Sequence, residues 1–148
     1  MKTIFDKATR EELIQRISSV NESNKNEWGK MNVSQMIAHC IKWEEMALSK
    51  KVYKQTLLGK LFGKMALKDF LKDEPFRRNV PTAPGFKIKE QNGNIVQLKG
   101  EWINLIKEYD HFNNNSNFVH PFFGRMTKEQ LGILAYKHID HHLRQFGA

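Results

Sequence analysis

Cysteine, long apolar runs and, over one stretch, acidic residues are all scarce in this 148-residue chain. A single cysteine, Cys40, excludes an internal disulfide and suits a reducing compartment. No apolar run approaches the ~20 residues that a membrane span needs, so no membrane insertion is expected. Residues 1–6 lack the apolar stretch and small-residue cleavage site of a secretory signal, which makes cytoplasmic residence the expectation. Proline is scarce outside one region: three of the four (Pro75, Pro81, Pro84) fall within residues 73–94, leaving the rest of the chain open to helix. The acid deficit is equally local. Between residues 50 and 78, nine basic residues face three acidic ones, which accounts for +6 of a formal charge of +8.

What is present is helical pattern. The length suits one domain, residues 1–148. Thr9 with Glu12 reads as a capping box for a first helix over about residues 8–20, with Leu13, Ile14, Ile17 and Val20 at helical spacing. Asn32 with Gln35 repeats the box ahead of Val33, Met36, Ile37, Cys40 and Trp43, giving a second helix to about residue 49. Residues 57–72 read as a third helix. Its apolar residues include Leu58, Leu61, Phe62 and Met65, while Lys60, Lys64, Lys68 and Lys72 form a four-residue ladder on another face; Gly59 and Gly63 weaken its first turns. The proline-bearing residues 73–94 form a long connection. Ile95, Leu98, Trp102, Leu105, Ile106 and Tyr109 mark a fourth helix, and a polar run, residues 113–117, turns the chain. Thr127 with Gln130 caps a final helix that Gly147 can close. No strand pair stands out. The fold class expected is all-α, a four-helix bundle with an extra short helix and a long crossover loop.

The final helix carries the chemistry. His138 and His142 stand four residues apart in the same stripe as Leu131, Leu134, Ala135 and Phe146, so both rings project from one face toward the core. Burying an unpartnered polar ring costs roughly 1–3 kcal/mol, and metal ligation is one way to offset it for two rings at this spacing. The other is an ordinary hydrogen bond for each. His141 falls on the flank, as a surface or supporting residue, and Lys137, Asp140 and Arg144 lie on the solvent side. A tight site needs a third ligand from a facing helix. His39, at the edge of the second stripe, His111, turned to solvent, and His120, before Pro121 in a loop, are the candidates, and periodicity leaves the choice open. A zinc-protease helix is excluded, because Ile139 stands where that motif needs glutamate. Glu108 and His111 have the spacing used in di-iron bundles but lack a second such pair.

Trp28, His39, the late His120-Pro121-Phe122-Phe123-Gly124, and a His-x-x-x-His helix ending His142-Leu143-Arg144-Gln145-Phe146-Gly147 together resemble the DinB/YfiT-like superfamily of metal-dependent enzymes, from Trp28 through Gly147. The resemblance implies a four-helix bundle holding a divalent metal, Zn, Ni or similar, on His39, His138 and His142. It also implies a homodimer in many members, and in some a transferase or isomerase reaction that uses a low-molecular-weight thiol as co-substrate with a small-molecule substrate.

Two residues are candidates for acid or base work. His120 could serve at the site mouth, and Glu44, near the centre of the second stripe, is a buried carboxylate whose alternative is a salt bridge to a lysine or arginine. Cys40 reads as a small core residue. Two other functional classes compete with an enzyme. Lys60, Lys64, Lys68 and Lys72 with Leu61, Phe62 and Met65 could form an amphipathic surface for an acidic partner, a membrane face or nucleic acid, although a charge ladder is more often a solvated face and this one lacks the arginine and aromatic readout of specific nucleic-acid binding. Alternatively, the bundle is a dimerisation scaffold with Trp102, or Phe122 and Phe123, at an interface.

Overall fold

The computed structural model of the chain describes residues 1–113 and 118–148. The last four residues of the polar run expected at 113–117 lie outside the described residues. The architecture is all-α, with helices α1 (Lys7–Ser19), α2 (Val33–Ala47), α3 (Leu57–Phe70), α4 (Ile95–Glu108) and α5 (Lys128–Gln145). The sequence shows no strand pair, yet two short antiparallel strands form, β1 (Val119–His120) and β2 (Gly124–Arg125), with His120 opposite Gly124. No helix among the described residues is long and apolar enough to cross a membrane.

Side chains set the helix starts. Asn32 and Gln35 form a reciprocal capping box on α2, and Thr127 and Gln130 form another on α5, as their spacing predicts. At α1 the cap lies three residues earlier than expected. Asp6 accepts the Thr9 backbone N–H at 2.9 Å and the Thr9 hydroxyl at 2.8 Å, so Thr9 lies inside the helix as a partner of the cap. Past the end of α5, Gly147 adopts φ +68°, the left-handed conformation that stops a helix with little strain only for glycine.

Helices α1, α2, α4 and α5 pack on one another around Leu13, Ile17, Met36, Trp102, Ile106 and Leu134. Fully burying each such side chain contributes about 1.5–3 kcal/mol, and together they make the helix faces inseparable from the core. Trp102 is fully buried and Phe123 nearly so; neither can sit at an intermolecular interface in this fold. Cys40 is buried against Met36, as a core residue.

Helix α3 is the extra helix. At 14 residues it is as long as α4, and it lies against β2 and the turn before it. Its packed face is Gly59, Gly63 and Leu67, and not the stripe of larger apolar side chains. A Cβ on Gly63 would stand 2.1 Å from the Phe122 carbonyl oxygen, and one on Gly59 2.5 Å from the same atom, so only glycine permits this approach. The two residues that weaken helix propensity are therefore the ones that dock the helix, and they turn Leu57, Leu58, Leu61 and Met65 outward. Lys137 on α5, expected on the solvent side, donates to the carbonyls of Phe70 and Lys72 at 2.6 Å each and ties down the C-terminal end of α3.

Candidate metal centre

His138 and His142 lie one turn apart on α5, and His39 meets them from α2, which crosses α5 in the bundle. One ligand atom from each of the three rings can be chosen so that all lie within 4.8 Å of one another. His39 Nε2 and His138 Nε2 are 3.1 Å apart, and the His39 and His142 ring centroids are 4.8 Å apart. Nitrogen ligands about 2.0–2.1 Å from a tetrahedral ion stand roughly 3.3 Å apart, a spacing that the His39 and His138 nitrogens already match and to which the third ring can close from within 4.8 Å.

Partners behind the rings decide which nitrogen faces inward. His39 Nδ1 is 3.0 Å from the Phe86 carbonyl. A carbonyl only accepts, so Nδ1 carries the proton and Nε2 the lone pair. On α5 the same result is reached through an amide. Gln145 Nε2 donates to the Trp28 carbonyl at 2.7 Å, which orients the amide and leaves its Oε1 facing His142 Nδ1 at 2.8 Å. His142 therefore also donates through Nδ1 and keeps an Nε2 lone pair for the centre. His138 has no partner at its buried Nδ1 among the described residues; its ring is held by stacking on Trp43, with centroids 4.7 Å apart and planes 18° apart. With His39 Nε2 fixed as an acceptor, His138 Nε2 must either donate a proton to it or share a cation with it.

Burial keeps the cluster uncharged. The His142 imidazole is pushed down to about 3, chiefly by burial and then by neighbouring His39. His138 titrates well below the usual range, from burial first and then from the adjacent histidines, and burial likewise lowers His39. All three are neutral near pH 7, the protonation state in which imidazole ligates metal.

The other candidates are placed differently. His120 is buried and stacked on Phe123, and its Nδ1 accepts the backbone N–H groups of Phe122 and Phe123 at 3.1 Å each. That nitrogen folds the turn, so the ring's proton resides on Nε2, and burial holds its pKa at about 4. Glu44 is fully buried but is not brought to the histidines. Among the described residues no lysine or arginine reaches it; its partner is the Tyr109 hydroxyl at 2.5 Å, and burial raises its carboxyl to about 8. His111 is exposed, as expected. His141, expected on the flank, is buried between the rings of Trp28 and Phe76, at 5.5 and 5.9 Å.

Sequence reasoning missed the partners that aim the ligands: the Phe86 carbonyl, Gln145 and the Trp43 ring. Only Gln145 carried a signal, its position one helical turn after His142. The Phe86 carbonyl belongs to a 3₁₀ turn, Pro84–Phe86, within the long connection, and no spacing rule finds a backbone oxygen 47 residues away.

Comparison with known proteins gives one family. The model described as "Protein of unknown function (DUF1569)" matches residues 5–148. No curated protein and no solved structure matches the chain.

Proposed function

This chain belongs to the DUF1569 family, and from that premise we propose that it is a DinB/YfiT-like metal-dependent enzyme acting on a small electrophile, with a low-molecular-weight thiol as co-substrate. The observation that carries the reading is the pinning of two outer nitrogens. Phe86 and Gln145 hold His39 and His142 as Nδ1 donors, so their Nε2 lone pairs are directed toward the centre they share with His138. Three protein ligands leave coordination positions open, the arrangement of a catalytic rather than a structural site. A divalent ion such as zinc or nickel, when bound, supplies Lewis acidity that acidifies a thiol or water and polarises a carbonyl.

The chain's own residues supply the setting. Burial keeps the three imidazoles neutral, so no proton has to be displaced from their lone pairs near pH 7. The Trp43 ring fixes the plane of His138, and the apolar surroundings exclude water that would compete for the electrophile. His120 cannot act as a base through Nδ1, which two backbone N–H groups occupy; what it offers is its Nε2–H, as a hydrogen-bond donor to a substrate. Glu44, engaged with Tyr109, has a structural role and takes no part in the reaction.

Metal analysis of untagged protein tests the site. About one equivalent of divalent metal per chain is expected in the native protein and under about a tenth in His138→Ala; full occupancy in the variant would sink the proposal. The chemistry is tested separately, by a thiol-transfer assay of the metal-loaded protein with bacillithiol, mycothiol, glutathione and coenzyme A against a panel of electrophiles. Loaded protein that turns over none of them, and hydrolyses none, overturns the enzyme reading while leaving the metal site intact.

A further inference from the structure

Helix α3 presents its large apolar side chains to solvent. Leu57, Leu58, Leu61, Phe62 and Met65 are between 49% and 74% exposed and recur at i, i+1, i+4, i+5 and i+8, so they form one continuous stripe along the helix. A contiguous apolar face on an otherwise well-packed chain marks an interaction surface.

The outward orientation is built in. The opposite face is committed to the turn at residues 121–123, where Gly59 and Gly63 lie too close to the Phe122 carbonyl to carry any side chain. The Thr56 backbone N–H donates to the Pro121 carbonyl at 2.8 Å, and the Gln55 amide donates to that of Phe122 at 3.3 Å. Rolling α3 over to bury its leucines would break this seam, together with the hydrogen bond that Lys64 donates to the Arg125 carbonyl. The stripe is therefore available to something outside the chain.

Charge selects the occupant. The exposed lysines Lys60, Lys64 and Lys68 run along one edge of the stripe. Between residues 50 and 72 there are seven lysines and one acidic residue, Asp69, which pairs with Lys72 at 2.5 Å. Lys60 and Lys68 have no acidic partner among the described residues. An antiparallel pairing of two copies along this stripe would set the lysine row of one against that of the other. A nucleic acid would use the lysines and leave the apolar stripe in water. A leucine and phenylalanine face bordered by lysine is the pattern of a helix that lies in the plane of a bilayer interface.

We propose that the outer face of α3 binds an anionic membrane surface. Leu57, Leu58, Leu61, Phe62 and Met65 enter the boundary between headgroups and acyl chains, and Lys60 and Lys68 contact the lipid phosphates, while Lys64 stays bonded to the Arg125 carbonyl. The helix lies on the membrane without spanning it. This docking is independent of the three histidines and stands or falls apart from the metal-centre reading.

Co-sedimentation of the full chain with vesicles tests it, using phosphatidylglycerol mixed with phosphatidylcholine against phosphatidylcholine alone, at about 0.1 M salt. Retention is expected only on the anionic vesicles, declining as salt is raised. Each lysine near such a surface contributes roughly a fivefold change in affinity, so K60E/K68E should weaken binding by more than about tenfold. L61Q/M65Q should weaken it at least as much. All four positions face solvent, and unchanged helicity and metal content in both variants verify the fold. Equal retention on neutral vesicles, retention insensitive to K60E/K68E, or no retention on either vesicle overturns the proposal. A concentration-dependent dimer that L61Q/M65Q splits, without vesicle binding, assigns the face to a second copy of the chain instead.

Discussion

Helix α2 contributes to two buried polar clusters of opposite construction. Five residues before Glu44, it supplies His39 to a group of three rings whose inner nitrogens converge while their outer nitrogens are tied, in two cases, to carbonyl or amide oxygens that accept. Glu44 itself closes on Tyr109, and its second oxygen has no partner among the described residues. Burial drives both clusters to their neutral forms, by lowering the imidazoles and raising the carboxyl. The outcome differs because of what is left over. A neutral imidazole with its outer proton pinned has a lone pair to offer a cation, whereas a protonated carboxyl bonded to a phenol offers an ion nothing. Burial of an ionisable group marks a candidate site only when the supporting hydrogen bonds leave a lone pair pointing at other lone pairs.

The largest effect that would sharpen this contrast concerns pH. The Glu44 carboxyl titrates at about 8 in the fold, raised from 4.5, so the stability linked to it is fully present below about pH 4.5 and is lost as pH rises toward 8. Glu44→Gln does not titrate. Between pH 5 and 8 the variant should gain on the native protein by an amount on the order of 3–4 kcal/mol in urea unfolding. A difference that stays flat with pH would mean that Glu44 ionises freely and that the two clusters are not mirror images. Next in size is Gln145→Leu, which frees His142 Nδ1 from its acceptor. Metal affinity measured by competition with a chelator should fall about 10–100-fold with the fold retained, whereas Glu44→Gln should leave it unchanged. Equal losses in the two variants would erase the distinction. Smaller again is Tyr109→Phe, which removes the hydroxyl that bonds Glu44 and should cost roughly 1–3 kcal/mol at pH 5.5, read from the denaturation midpoint. The smallest expected effect is the coupling between clusters: a double-mutant cycle of Glu44→Gln with Gln145→Leu should show an interaction below about 0.5 kcal/mol in unfolding.

Much of this was legible where local chemistry decides. The Asn32/Gln35 and Thr127/Gln130 boxes and the four-residue spacing of His138 and His142 each state their outcome within a few residues, and the helices form there. Legibility failed where a distant atom decides. Thr9 with Glu12 satisfies the box pattern, but Asp6 reaches the Thr9 N–H first. Periodicity marks the apolar stripe of α3 but cannot tell which face of the helix its neighbours will take; two glycines, by admitting a carbonyl, took the opposite face. His141 looked peripheral on a helical wheel, and Trp28 and Phe76 cover it from segments far away in sequence. The third ligand was open for the same reason, since choosing His39 requires knowing that α2 faces α5.

The hydrogen bond from His39 to Phe86 joins two things that would otherwise be separate, a ligand ring and the long proline-bearing connection. Thermodynamic linkage makes that joint reciprocal: whatever free energy the ordered connection contributes to holding the ring, an occupied site returns to the connection. Protease resistance of residues 73–94 thus becomes a readout of the centre. A cut in this loop, far from α5 in sequence, would loosen the grip on an ion that the loop never touches.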